Sequence, residues 1–489
     1  VTGSIKRNVG RVAALPAVVA GAVLLRLIAG VGFANYDTLY ALSWGGQLAR
    51  GETPAYDLPI APTPHPLIEA LGVILHPLAP RAVEQVTVWL GFLALAACGW
   101  AVYRLASLWF GWAAGALAAL VLVTRVPIIS YGVRAYVDVP YLLFVLCAML
   151  VEARRRVAGR RPAGAPVLAL LALAGLLRPE AWAFSGLYWL YLVACERRMP
   201  ANESKRSRRA LAGLTLLAAA APLVWILSDL AITGDALWSL TNTRHTAQTL
   251  DRVTGIGNVP EYVPRRIGEI LRPPVLVGAA LGGVLSLIWL RRRAITGAVT
   301  GAIAVLVFIA VAVAGLPINT RYGFLTAAIL CVFCGAGVFG WTRLAERDAR
   351  RRWWMAGGAL VLVALVAFIP SQYKAAHREL DKLARQQTIQ NDLLALVADH
   401  SISLRCGPVE VPNHAPVPLL ALYLRASPAE VVSGQFNAIE HGIYVDPASK
   451  EVERDYVLDP HDPHRAVEVP PGFTEVHANA SWLIFQRCG

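Results

Sequence analysis

Charge is what this sequence is short of: Asp, Glu, Lys and Arg together make up 16% of its 489 residues, against 56% hydrophobic ones. A soluble globular domain carries about a quarter charged residues, and the mean hydropathy here is +0.52, so a soluble fold is excluded. Acidic residues are scarcer than basic ones, 32 against 45, which leaves a formal charge of +13. No internal repeat and no low-complexity tract is present. The first absence counts against a transporter built from inverted repeats. A cleavable signal is not expected either, because the first apolar run, 12–33, is too long and lacks a small-residue cleavage site.

What is there instead is a series of apolar runs. Those at 12–33, 211–232, 295–316, 324–341 and 353–369 are long enough to cross a hydrocarbon core of roughly 30 Å as helices. Shorter or interrupted runs fill the gaps at 86–105, 109–123, 139–151, 167–177, 181–195 and 275–290. The expected fold is an all-α polytopic membrane protein of about 11 transmembrane helices. Its basic residues gather between the runs: Lys6, Arg7 and Arg11, then Arg154 to Arg161, Arg197 to Arg209, Arg291 to Arg293, and Arg343 to Arg352. Short loops rich in Lys and Arg stay in the cytoplasm. With eleven spans all five clusters fall on the N-terminal side, so the N-terminus is expected inside and everything after Ile369 outside. The positive charge is thereby explained as orientation, with no nucleic acid as partner.

Five of the seven cysteines, Cys98, Cys147, Cys195, Cys331 and Cys334, lie in or near apolar runs and read as packing residues. Cys331 and Cys334 have C-x-x-C spacing but lack the strand and turn of a redox motif. Cys406 and Cys488 sit at either end of the polar tail, on the side where disulfides persist, and are expected to pair.

Two outer segments are too long to be turns, at about 34–83 and 233–274. The first holds an amphipathic piece over 37–50, a Pro-rich stretch over 59–66, and an apolar run over 67–75 that is too short to span and suits the interface. The second carries Trp238, Arg244, His245 and a basic run with Arg265 and Arg266, which oppose the orientation rule and so suit a phosphate-bearing lipid head. From 371 the composition turns polar. Helical spacing over 373–397 is followed by β-like runs at 409–411, 429–432, 442–445, 456–458 and 482–485. The domains are therefore expected at 1–370, transmembrane, and 371–489, a small extracytoplasmic α+β domain of a size able to form its own core.

Ionisable residues recur at the outer ends of the runs. Asp37 follows the first, Arg134 and Asp138 begin the 139–151 run, Arg178-Pro179-Glu180 breaks between two runs, and Arg321-Tyr322 turns between two late ones. With His65, Arg244 and His245 they amount to an outward site. Carboxylates suit deprotonation of a hydroxyl or a divalent cation, and no other cofactor is indicated; arginines suit a phosphate, gripped bidentately. Structural readings stand beside these. Arg134 and Asp138, four apart, could pair along a helix, Arg178 and Glu180 could cap a junction, and Asp37 could cap the helix that follows it. His414, in Pro412-Asn413-His414, reads as a surface residue.

The early Asp37 before a long outer loop, the stretches Gly51-Glu52-Thr53-Pro54 and Pro62-Thr63-Pro64-His65-Pro66, the 134–138 segment, Leu177-Arg178-Pro179-Glu180 and the outer tail together resemble the C-type membrane glycosyltransferases. That group includes the aminoarabinose transferases and protein O-mannosyltransferases, and the resemblance covers about 12–370. It implies transfer of a sugar, with inversion, from a polyprenyl-phosphate donor to a hydroxyl of a cell-envelope glycan, glycolipid or other acceptor, on the non-cytoplasmic face of the plasma or inner membrane. Asp37 resembles the first-loop acid that serves as general base, and Asp138 the second-loop acid of the aminoarabinose transferases, which orients acceptor or metal. Asp37 has no acidic neighbour, unlike the O-mannosyltransferases. Arg321, Arg244, Arg265 and Arg266, with Arg134 behind them, are the candidates for the departing phosphate. A flippase for a lipid-linked saccharide and a non-enzymatic envelope assembly protein are the alternatives.

Overall fold

A computed structural model describes residues 14–198, 207–458 and 468–488. The basic residues Lys6, Arg7 and Arg11, and part of the Arg197 to Arg209 cluster, lie outside them, as does the start of the 12–33 run. The bundle is built from α1 (Ala14–Ala29), α2 (Tyr36–Ala49), α3 (Pro66–Leu75), α4 (Pro80–Phe110), α5 (Trp112–Val123), α6 (Val126–Val133), α7 (Asp138–Val157), α8 (Ala165–Gly175) and α9 (Glu180–Arg197). It continues through α10 (Arg208–Thr233), α11 (Trp238–Thr249), α12 (Val259–Trp289), α13 (Arg291–Val313), α14 (Phe324–Phe339) and α15 (Ala349–Ala367).

Every one of the eleven apolar runs falls on a helix. Five helices are long and apolar enough to cross a membrane, and up to seven if the bent pairs α5–α6 (64°) and α15 with the helix after it (41°) each make one span. The remaining four runs fall on α1, α7, α8 and α9, which are shorter or more charged. The protein is an integral membrane protein of predominantly helical fold. Helix α14 is buried on almost all sides, as a helix apolar all round must be.

Helix α4, 31 residues long and so about 46 Å at 1.5 Å per residue, separates two ends of the molecule. At its C-terminal end the basic loops dock: Arg293 donates to the Trp109 carbonyl at 3.4 Å and Arg343 to the Ser107 carbonyl at 2.9 Å. At its N-terminal end the tail docks, with the Tyr423 hydroxyl donating to Glu84 and Arg425 to the Leu78 carbonyl at 2.8 Å. Two of the basic clusters and the tail thus occupy opposite ends.

The tail starts with α16 (Ile369–Ala398), which leads to β1 (Val409–Val411), α17 (Val417–Leu424), β2 (Val431–Ser433), β3 (Gly442–Pro447), β4 (Thr474–Ala478) and β5 (Trp482–Arg487). The sheet order is β2-β1-β3-β5-β4, with β1 parallel to both neighbours and the other pairs antiparallel. This is the expected α+β arrangement, with three corrections. The 456–458 run is not a strand: Glu453–Val457 is a helical turn that buries Tyr456 and Val457. The 429–432 run begins as a turn, because Pro428 and the Ser427–Glu430 capping box close it. A strand over Thr474–Ala478 was not anticipated, since all its residues are exposed and alternation is lost at an edge. Cys406 and Cys488 form a disulfide.

Candidate functional site

The first expected acid owes its position to a cap. The N-cap of α2 is Asn35, whose side-chain oxygen accepts from the backbone N–H groups of Asp37 (2.8 Å) and Thr38 (3.3 Å). Asp37 is therefore not the cap, and its carboxylate is available to other groups. Asn35 is itself tied down, its backbone and side-chain nitrogens donating to the Arg134 carbonyl at 2.9 and 3.1 Å. Across the cavity, Arg321 Nη1 donates to Asp37 Oδ2 at 2.7 Å, and 284 residues separate the partners. Burial raises the Asp37 carboxyl pKa, but the Arg321 guanidinium, helped by His65, outweighs it and holds the group below the usual carboxylate range.

Arg178 is committed differently. It donates to Asp138 and, through Nε and Nη2, to Glu180 at 2.7–3.3 Å, while its guanidinium lies 4.5 Å from the Tyr322 ring centroid. Asp138 thus pairs with Arg178 and not with Arg134 along the helix. Arg134 stacks on Tyr131 and Tyr136 and donates to Ser130. Arg321 is the less saturated cation: among the described residues Asp37 is its one hydrogen-bond acceptor, and its buried Nε has none.

His65, also buried, is fixed from behind. Its backbone N–H donates to Glu69 Oε1 at 3.1 Å, and Tyr56 donates to Glu69 Oε2 at 2.5 Å. Gly45 and Gly72 let α2 and α3 close on this point, since a Cβ at Gly45 would stand 2.3 Å from the Glu69 carbonyl and one at Gly72 2.7 Å from the Leu42 carbonyl. Burial lowers the His65 pKa to about 4, so the ring is neutral at pH 7. Burial pushes the Glu69 carboxyl up to about 7, against its two hydrogen bonds.

These groups open into one cavity of about 680 Å³. Of the expected site residues Asp37, His65, Arg178, Glu180, Arg321 and Tyr322 line it. Asp138 and Arg134 lie one layer behind, each holding a lining residue. Arg244, His245, Arg265 and Arg266 are not on its wall: Arg244 donates to the Ala314 carbonyl, His245 is exposed, and Arg265 and Arg266 pair with Glu269. The wall also includes residues the sequence reading missed. Asp229, which accepts from Ser239 N–H and hydroxyl at 2.9 and 2.8 Å, was legible as an acid inside an apolar run. Trp182 and Trp225, edge to face at 5.8 Å, gave no such signal, nor did Arg252. His414, read as a surface residue, lines the cavity too.

Among the described residues no three His, Cys, Asp or Glu side chains come together as metal ligands. Asp37, Asp138 and Glu180 are each neutralised by an arginine, a donor set that does not fit the divalent cation considered above.

No protein-family model matches the chain, and no curated protein does. Among solved structures it is similar to ArnT from Cupriavidus metallidurans bound to undecaprenyl phosphate, with a TM-score of 0.56 and 12% identity over 96% of this chain and 97% of that one. The apo state of the same protein gives a TM-score of 0.53 and 13% identity over 97% and 98%. Identity at this level speaks to architecture, and the architecture agrees from end to end: the chain shares the fold of ArnT, a C-type membrane glycosyltransferase.

Proposed function

We propose that the protein is a membrane glycosyltransferase that transfers a sugar from a polyprenyl-phosphate donor to an acceptor hydroxyl, at the end of the bundle covered by the tail. The observation that carries this reading is the Asp37–Arg321 pair on the cavity wall, with most of the Arg321 donors uncommitted. A phosphate monoanion or dianion suits those donors. The similar ArnT structure contains undecaprenyl phosphate, which agrees in chemical class. The basic loops at the opposite end favour a cytoplasmic N-terminus, an extracytoplasmic tail (371–489) and eleven spans across 1–370.

In the proposed reaction the acceptor hydroxyl gives its proton to the Asp37 carboxylate as its oxygen bonds to the anomeric carbon. The bond from that carbon to the phosphate oxygen breaks on the opposite side, and polyprenyl phosphate leaves with its charge on Arg321. Arg321 weakens Asp37 as a base while it is bound to it; transferring Arg321 to the donor phosphate restores that basicity once the donor is seated. A covalent glycosyl-enzyme would need a second carboxylate about 5 Å from the first. Single displacement with inversion is proposed here, with Glu180 and Asp138 held by Arg178 and Asp229 by Ser239. Asp138 acts here as a positioning residue for Arg178.

The test is release of polyprenyl phosphate by purified protein in detergent from a panel of radiolabelled polyprenyl-phosphate sugars, with envelope extract as acceptor. Acceptor-dependent release from one donor is expected. Binding of the same lipids with no turnover of any of them would favour a flippase or an assembly protein.

A further inference from the structure

The tail does more than cover the bundle: it forms part of the cavity wall. In the order β2-β1-β3 the chain leaves β1 on one side, through α17 to β2, and returns on the other as β3. The carboxyl end of β1 is thus a topological switch point, the place where open α/β sheets take up ligands. The segment at that point is Asn413-His414-Ala415, and His414 and Ala415 line the same cavity as Asp37. The His414 ring meets Tyr36, the neighbour of Asp37, edge to face at 5.4 Å. Gln435, just beyond β2, fixes His414 through one oxygen, which accepts its backbone N–H at 3.0 Å and lies 2.9 Å from Nδ1. Asn413 is fully buried, and neither its side-chain oxygen nor its nitrogen has a hydrogen-bond partner among the described residues. Buried amides are normally satisfied, so this one, directly behind the two lining residues, marks a polar backing to that part of the wall.

This wall faces the acceptor's side. The tail meets the bundle at the ends of its helices, where Gln387 bonds Gly32, Glu379 bonds Ser130 and Tyr423 bonds Glu84. A ligand touching His414 therefore comes from the water side. An isoprenoid chain belongs against the apolar wall contributed by α13, through Val307, Ala310 and Val311.

We infer that His414 and Ala415, with Asn413 buried behind them, form the acceptor subsite, specific for a hydroxyl-rich saccharide carried either by a free glycan or by a glycolipid head. The inference rests on the glycosyltransferase reading of the cavity. The experiment uses full-length protein with Ala415→Leu, which narrows the subsite, His414→Ala, and His414→Gln as the conservative variant. Transfer is measured with delipidated envelope glycan and with envelope lipid extract, beside binding of decaprenyl phosphate and of the glycan alone. At least a tenfold rise in acceptor KM for Ala415→Leu and His414→Ala is expected, partly rescued in His414→Gln, with decaprenyl phosphate binding within twofold of wild type. The acceptor preparation that turns over identifies the source of the saccharide. An unchanged acceptor KM, or donor and acceptor constants that worsen together, overturns the inference. If wild type turns over no donor, the enzyme reading has failed and glycan binding decides alone: binding lost in His414→Ala supports the subsite, while equal binding by both proteins, or none by wild type, overturns it.

Discussion

At the scale of single residues the site is a set of competing claims on two arginines. Arg178 is saturated by Asp138 and Glu180, whereas Arg321 is shared between Asp37 and whatever anion the cavity takes. Removing Asp37's charge should free Arg321, so Asp37→Asn is expected to bind decaprenyl phosphate several-fold more tightly than wild type. Arg321→Ala should lose about ten- to a hundredfold, the worth of one charged hydrogen bond of roughly 1.5–3 kcal/mol. Equilibrium binding in detergent checks both, and equal affinity in all three proteins would remove Arg321 from the phosphate site. A second test concerns Glu69, whose folded pKa of about 7 lies above its unfolded value of 4.5. The folded state then holds the extra proton, so this group's contribution to stability falls as pH rises from about 4.5 to 7 and is level above that. His65, lowered to about 4, acts with the opposite slope between about 4 and 6.5. Because His65 is common to both proteins, the stability advantage of Glu69→Gln over wild type should grow across 4.5–7 in thermal melts. A constant difference would contradict the burial argument.

At the scale of elements, the helices were legible because apolar length survives any tertiary context: all eleven runs became helices. The tail was less legible. Short β-like runs and helical turns of the same apolar residues differ mainly by their neighbours, which is how Tyr456 and Val457 came to be buried by a turn. Among the residues lining the cavity, Asp37, Arg178, Glu180, Arg321 and Tyr322 were readable from their places at the ends of apolar runs, and His65 from its Pro-flanked place in the outer loop. Which way each helix end faces was not. Arg265 and Arg266 turned to Glu269, four and three residues on, a spacing that was readable in advance. Helices α2 and α3 form the element on which the site depends most directly, because their close approach sets His65 against the cavity. Gly45→Ala is expected to destabilise the protein by about 1–3 kcal/mol, the range for overpacking, and to lower turnover through a displaced His65. A melting temperature and activity equal to wild type would show that the contact is dispensable.

For the whole molecule, a bundle about 46 Å long along α4 carries its basic loops at one end and its tail and cavity at the other. Under the proposed orientation, single cysteines at 291–293, the start of α13, should be labelled by impermeant thiol reagents only after the cytoplasmic side is opened. Cysteines at exposed tail positions should be labelled from outside, and the reverse pattern would invert the topology. The tail's contact with Tyr36 through His414 makes it part of the site, a role its composition alone did not suggest. The measurement that reaches furthest is the single-turnover rate of sugar transfer by wild type and Asp37→Asn, each saturated with the active donor and acceptor. The expected result is a loss of about 10²- to 10⁴-fold, the usual worth of a positioned base, with donor binding tightened. Equal rates in the two proteins would contradict the assignment of Asp37 as the base.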